Sequence, residues 1–447
     1  MCGSSEKEDA PGEEGERHHG KKSLDPCARL TIRGSLNQVD SRGQFGWVNP
    51  RAFRWRRVTP HSLARHSTGS RRFCVVRIIV AARRKISVAD HGGQRYRGEA
   101  ISSGQPSVLQ LAFVSRELAI DFGTAMIRVV AKGRGLILEE PTVAAVDTRT
   151  REVLALGAEA DELVGRTADH VVAVRPLRQG AITDFDMAER LLRAVLSRSG
   201  ASRMSRPKVL LTVPAAATSI ERRALKQAAR KAGGSSAMLL EAPMAAAIGL
   251  GLPIHDPVGS VVVDVGAGTS ETGVISLGGV VALKALRIGG HDLDAAVASA
   301  VRQQLDLVIS DLLAEELKMK IGSVDANAPA LTAEIHGRRT TSGLSATEQV
   351  TSEVVSRAIS DLTNSLVAGS AACLADAPPE LAQDAIFEGI HLVGGGSLLH
   401  GFADLLAQGT SVPVHVAANP TTAVVEGAGR CLDELGRLQA LFSASER

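Results

Sequence analysis

Asp121-Phe122-Gly123-Thr124-Ala125 and Asp264-Val265-Gly266-Ala267-Gly268-Thr269 each close a short hydrophobic run, and the second begins 143 residues after the first. The pair reads as one element used twice. An aspartate at a strand end presents a carboxylate that can hold a metal ion, directly or through water. The glycines beyond it allow a tight turn without Cβ atoms, so backbone N–H groups can close on phosphate oxygens, and the threonine adds a hydroxyl donor. Two such hairpins facing each other would clamp a nucleotide's phosphates and Mg²⁺ between two half-molecules. Either hairpin alone is an ordinary Asp-x-Gly turn and carries little weight.

A third element changes the balance. His391-Leu392-Val393-Gly394-Gly395-Gly396-Ser397 ends another apolar run and reads as opening a helix, so that a flat ring or sugar could lie against bare backbone. The order of hairpin, hairpin and glycine triplet is far more specific than its members. No GxxxxGK[ST] loop occurs, and no GxGxxG follows the first strand.

Outward from these motifs, strand-like runs at 118–122, 209–213, 238–240, 261–265, 280–286 and 390–393 alternate with helical stretches. One helix is expected at 187–196. Another opens with the capping box Thr218…Glu221 and ends at Gly233-Gly234. The segment 346–374 reads as one or two packed helices, and 420–435 as a final helix opened by Pro420. This alternation predicts α/β layers.

The 447 residues carry a net charge of only +3, but 1–116 hold 21 Lys+Arg against 10 Asp+Glu, whereas 117–447 hold 30 against 38. Both tryptophans, Trp47 and Trp55, and the single tyrosine, Tyr96, also precede residue 117. No sustained period runs through 1–116, which is therefore expected to be a disordered basic extension. Its arginines, interleaved with aromatics, could meet RNA or an anionic membrane; a tail without a fold is the simpler expectation, and no nucleic-acid partner is expected. No apolar run approaches the about 20 residues of a spanning helix. Five cysteines without CxxC spacing argue against a metal ribbon or a stapled secreted fold and suit a reducing cytosol.

From about residue 118 to 435 the chain resembles the superfamily of actin, sugar kinases and 70-kDa heat-shock ATPases, and within it the bacterial actin homologues MreB and Mbl. The resemblance rests on a colinear series that includes Asp121-Phe-Gly-Thr-Ala, Glu140-Pro-Thr-Val, Leu156-Gly-Ala-Glu-Ala, Gly180-Ala-Ile-Thr-Asp-Phe-Asp and Pro243-Met-Ala-Ala-Ala-Ile-Gly. It continues through Arg287-Ile-Gly-Gly, Ala314-Glu-Glu-Leu-Lys, Leu392-Val-Gly-Gly-Gly and Pro420-Thr-Thr-Ala-Val. It implies an actin-like α/β fold of two RNase H-like domains, each with a smaller inserted subdomain, closing over ATP and Mg²⁺. The expected division is 117–258 for the first domain and 259–435 for the second, the final helix returning to the first, with 436–447 as a tail. By resemblance, Asp121, Gly123, Thr124, Ala125 and Met126 form the first phosphate hairpin, and Gly266, Ala267, Gly268 and Thr269 the second. Asp121 and Asp264 orient Mg²⁺ and its water shell. Glu315 and Lys318 reach the ribose or adenine, although an ordinary i,i+3 surface pair has the same spacing. Gly394, Gly395 and Gly396 back the base.

Three departures from the family pattern bear on chemistry. Relatives usually read Glu-Glu-Pro where this chain reads Glu241-Ala242-Pro243, so the carboxylate that positions the attacking water is missing. Loss of such a group commonly costs about 10²–10⁴ in rate. The expectation is ATP binding with impaired hydrolysis, unless Glu241 or Asp184 substitutes; a strand-end neighbour such as Glu241 should point elsewhere. Met126 replaces a common Asn near the phosphates. Ala267 replaces the middle glycine of the second hairpin, at little cost unless its φ is positive.

The resemblance further implies head-to-tail self-assembly into filaments on the inner face of the cytoplasmic membrane, organising cell-wall synthesis and cell shape. Candidate membrane contacts are Met204 between Arg203 and Arg206, and the basic stretch 71–85. A non-polymerising nucleotide-sensing scaffold is the alternative. A chaperone of the heat-shock class would need a further substrate-binding domain, and a sugar kinase a carboxylate base and sugar pocket; neither is identifiable.

Overall fold

The computed structural model describes residues 117–163, 170–201 and 206–433, and a short antiparallel pairing of Gln38–Val39 with Phe45–Gly46. The expectations for the rest of the basic extension, for Met204 and for 436–447 lie outside the described residues.

The first half is built on a five-stranded sheet of order β3-β2-β1-β9-β10, from β1 (Glu117–Phe122), β2 (Met126–Ala131), β3 (Gly135–Pro141), β9 (Lys208–Val213) and β10 (Ser236–Glu241). β1, β2 and β3 pair antiparallel, whereas β1, β9 and β10 run parallel. The parallel steps need crossovers, supplied by α2 (Phe185–Arg198) and α3 (Ser219–Ala232). Asp184 caps α2 by accepting from the Met187 N–H at 3.0 Å. Thr218 and Glu221 form the reciprocal capping box of α3, with Thr218 N donating to Glu221 Oε2 at 2.8 Å. Apolar faces of α2 and α3 bury Leu191, Leu192, Val195 and Leu225 against Leu118, Ile120, Val209 and Leu211.

The second half repeats the plan. Its sheet has the order β13-β12-β11-β17-β18, from β11 (Ser260–Val265), β12 (Ser270–Ser276), β13 (Gly279–Leu286), β17 (Ile390–Val393) and β18 (Val414–Val416). Again three strands pair antiparallel and two join in parallel. Each half carries an insert. β4 (Ala144–Asp147), β5 (Val153–Leu156) and β6 (Val171–Val174) pack on α1 (Ala158–Leu163) around Val143, Ala145 and Ala160. In the second half, β14 (Leu307–Val308), β15 (Thr332–Arg339) and β16 (Ser345–Thr351) pack with α5 (Gly290–Leu305), α6 (Asp311–Ile321) and α7 (Ser352–Asp376). The duplicated sheets are the α/β architecture expected from the sequence.

α4 (Ala242–Leu250) and α10 (Ala423–Asp433) lie between the two sheets. Their core contains Ala119, Val130, Leu210 and Leu240 of the first sheet and Val262, Ile275 and Val393 of the second. The two helices meet backbone to backbone: a Cβ at Gly249 would fall on the Ala423 carbonyl, and one at Gly427 on the Ala245 carbonyl. Small residues permit this approach, and the run Ala245-Ala246-Ala247 supplies them.

Two sequence expectations are corrected. Residues 346–351 are strand, not helix: β16 pairs antiparallel with β15 from Thr332↔Thr351 to Arg338↔Ser345. Ala346 and Val350 lie on its covered face while Ser345, Thr347, Gln349 and Thr351 are exposed, as suits a half-exposed hairpin, and no Gly or Pro marks the change to α7. The final helix starts at Ala423, because the Gly394 N–H donates to the Pro420 carbonyl at 2.9 Å and holds Pro420 in the preceding turn. Among the described residues Cys373 and Cys431 are buried, and no helix is long and apolar enough to cross a membrane.

Candidate functional site

Both Asp-Gly turns cap a β-hairpin in the same way. In the first, joining β1 to β2, the Gly123 N–H donates to the Met126 carbonyl at 3.0 Å; in the second, joining β11 to β12, the Gly266 N–H donates to the Thr269 carbonyl at 2.9 Å. The two turns both line one cavity of about 600 Å³, within the range of small-molecule sites. They approach so closely that a Cβ on Gly268 would lie 2.5 Å from Thr124 Oγ1. Ala267 is not left-handed, so its methyl adds no backbone strain, and its carbonyl accepts from the His291 N–H at 2.9 Å.

Asp121 and Asp264 reach the cavity from equivalent strand ends. Burial pushes both carboxyls above their usual range, Asp264 to about 7, with Glu271 and Asp121 adding repulsion there. Thr212 Oγ1 donates to Asp121 Oδ1 at 2.6 Å and partly offsets its burial. Arg128 is the cation near both, but its Nε is engaged by Glu139 at 2.8 Å. Acids crowded in this way and lacking a full counter-charge suit a divalent cation.

The cavity is also lined by Glu315, Lys318, Met319, His400 and the Gly394–Gly396 triplet. Gly394 has φ +83, and a Cβ there would lie 2.5 Å from Asp264 Oδ1, so the triplet also packs against the Asp264 carboxylate. Lys318 is largely committed. Its Nζ sits 2.7 Å from Asp294 Oδ1 and donates to the Gly290 carbonyl at 3.2 Å, leaving one of three ammonium donors for a ligand. Burial raises the Asp294 carboxyl to about 6 even with Lys318 beside it. His291 is held below its ordinary value by burial and by Arg175.

The structure thus gathers Asp121, Gly123, Thr124, Ala125, Met126, Asp264, Gly266, Ala267, Gly268, Thr269, Glu315, Lys318 and the glycine triplet around one space, with Ala242 on its wall. Glu241 is the exception and is corrected as a cavity residue: it is not among the lining residues, and its Oε1 is 2.9 Å from Arg222 Nη2. Asp184 likewise is not part of the lining and is occupied as a helix cap. Sequence reasoning missed Thr212, Asp294 and Glu271. Glu271 is 2% exposed, sits opposite Asp264 in the β11–β12 register, and accepts the N–H groups of Ala215 and Ala216 at 3.1 and 3.3 Å. Its place two residues after Thr269, on a strand next to the hairpin, was the available signal.

Two copies of one sheet topology, joined by a shared helical layer and bordered by a common cavity, define an actin-like ATPase fold. The comparisons agree. The sequence model described as MreB/Mbl protein matches residues 115–440. The cell shape-determining protein Mbl of Bacillus cereus is 38% identical over 325 residues, covering 72% of this chain and 98% of that protein. The cell shape-determining protein MreB of Escherichia coli K12 is 38% identical over 325 residues, covering 71% and 94%. The crystal structure of MreB5 of Spiroplasma citri bound to ADP superposes with a TM-score of 0.68 at 29% identity, covering 72% of this chain and 98% of that one. The chain belongs to the MreB/Mbl family of cell shape-determining, actin-like proteins.

Proposed function

We propose that the cavity binds ATP with Mg²⁺ and that the protein assembles head to tail into filaments on the inner face of the cytoplasmic membrane, where it organises cell-wall synthesis and cell shape. The observation that carries this reading is the meeting of two equivalent Asp-Gly hairpins across one cavity whose acids lack a full counter-charge. That MreB5 of Spiroplasma citri was solved with ADP supports it. Backbone N–H groups of Gly123–Met126 and Gly266–Thr269 would cradle the phosphates. Asp121 and Asp264 would hold Mg²⁺ through water, with phosphate oxygens completing its shell, as Mg²⁺ prefers. The ion would neutralise phosphate charge. Glu315 and the free donor of Lys318 would reach the sugar or base, and Gly394–Gly396 would lie under it. The halves would be 117–258 and 259–435, and a contact that does not close on itself would propagate them as a filament.

Hydrolysis is slow in this reading. Ala242 offers no acceptor to orient water, while Glu241 is turned to Arg222 and Asp184 caps α2. ATP-dependent pelleting beside calorimetry with Mg-ATP tests the proposal. Binding and sedimentation together support it; binding without sedimentation favours a non-polymerising nucleotide sensor, for which the missing acceptor at Ala242 is the motivating observation. No heat with magnesium adenine nucleotides would overturn it.

A further inference from the structure

Glu271 is a buried carboxylate for which the hairpin chemistry has no use. It lies on the second-half strand β12, yet both of its oxygens are taken by the first half: Oε2 accepts from Ala215 N at 3.1 Å and Oε1 from Ala216 N at 3.3 Å. The loop 214–217 that donates these bonds follows β9 and leads into α3. Its carbonyls are held from the other side by Arg222 of α3, whose Nη2 donates to Ala215 O at 2.8 Å and whose Nε donates to Ala217 O at 3.0 Å. A carboxylate from one half therefore grips the loop's donors while a guanidinium from the other grips its acceptors. The same guanidinium reaches Glu241, the neighbour of Ala242.

Two further contacts mark this crossing. Gly180, with φ +74, has room only for hydrogen where Pro214 and Thr269 converge: a Cβ would lie 2.8 Å from Pro214 Cγ and 3.0 Å from Thr269 Cγ2. Arg287, just beyond β13, pairs with Glu221 in the first turn of α3 at 2.9 Å. The start of α3 is one place where the halves meet, and Glu271 is its buried tie.

We propose that Glu271 is a positioning residue that couples the second phosphate hairpin to the first turn of α3 through the loop 214–217. This rests on the reading of the hairpins as a nucleotide clamp. Thr269 ends the hairpin and Glu271 is two residues on, in a rigid strand. A hairpin that settles on phosphate carries the carboxylate with it, and the carboxylate carries the loop and, through Arg222, the helix. The charged groups facing Glu271 are Arg222 from α3, Glu241 from β10 and Asp264 from β11. Of these Arg222 is the only cation, and its Nη1 is buried without a hydrogen-bond partner among the described residues.

Amide hydrogen exchange on the full chain, with and without Mg²⁺ and a non-hydrolysable ATP analogue, tests the coupling. In the wild type, peptides spanning both hairpins and the segment 214–222 are expected to slow together on nucleotide addition. In Glu271→Gln the hairpins should still slow. The segment 214–222 should exchange about 10- to 100-fold faster, the loss expected for hydrogen bonds to a charged group, and ignore nucleotide. Glu271→Asp, one methylene short but still charged, should uncouple in the same way and covers the case in which the amide variant does not fold. A merely structural role would instead speed exchange throughout both sheets. The proposal is overturned if the wild-type hairpins respond and 214–222 does not, or if either variant keeps the response at 214–222. Failure of the wild-type hairpins themselves to respond would strike the nucleotide reading first, and the coupling with it.

Discussion

Asp264→Asn should make the nucleotide-free protein more stable at alkaline pH while weakening its grip on magnesium nucleotide. Burial and the neighbouring Glu271 and Asp121 raise the Asp264 carboxyl from 3.8 to about 7. A raised carboxyl contributes stability that is complete below its unfolded value and lost as pH climbs through the folded one. Across that interval of about 3 units the ionised form costs roughly 4 kcal/mol at 1.36 kcal/mol per unit. This is an upper bound, because Asp264 keeps part of its surface open to the cavity. Asparagine has nothing to ionise. Without nucleotide, its advantage over wild type should grow by about 2–3 kcal/mol between pH 5 and pH 8, a shift of several degrees in thermal midpoint. Saturating Mg-ATP should reverse the order at pH 8, because wild type gains ligand stabilisation that the variant lacks. Parallel melting curves for the two proteins across this pH range would refute the charge-crowding account.

Ala242→Glu should raise single-turnover phosphate release by about 10²–10⁴, the span for a restored water-positioning group, and equal rates would acquit Ala242. Lys318→Met strands the Asp294 carboxylate. Breaking such a buried pair costs about 3–5 kcal/mol, and the loss should be larger at pH 8 than at pH 5 because the orphaned acid can take a proton; urea unfolding at the two pH values measures it. Gly394→Ala forces a methyl into a position with φ +83, against Asp264 Oδ1. Strain of about 1–3 kcal/mol is expected, together with loss of calorimetric nucleotide binding; a variant that melts and binds like wild type would remove the steric reading of the triplet.

What the sequence made legible was local. The hairpins are spelled by Asp-x-Gly at strand ends, and the start of α3 by Thr218 and Glu221, because turns and caps are decided within a few residues. The glycine triplet was equally plain. What escaped was contact across distance. Thr212 reaches Asp121 only because β9 lies beside β1, and Glu271 reaches Ala215 only because the halves meet at α3. Neither residue belongs to a motif. Lys318 was read as a ligand from the family motif Ala314-Glu-Glu-Leu-Lys, but its tie to Asp294 depends on how α5 and α6 pack. The segment 346–351 was misread as helix because the partner that makes it a strand, at 332–339, is not announced by any local signal.

The helix pair α4 and α10 sets an order of events in the cell. The first sheet leaves the ribosome early, yet one wall of its core is α10, whose Val424, Val425, Ala428 and Leu432 cover it. Until that helix emerges, Ala119 and Leu210 have no complete cover, so the first half must wait, part-finished and in need of shielding, until residues 423–433 are made. Cutting the gene between the halves would orphan both products, and a split reporter built on this scaffold would have to carry α10 with the first fragment.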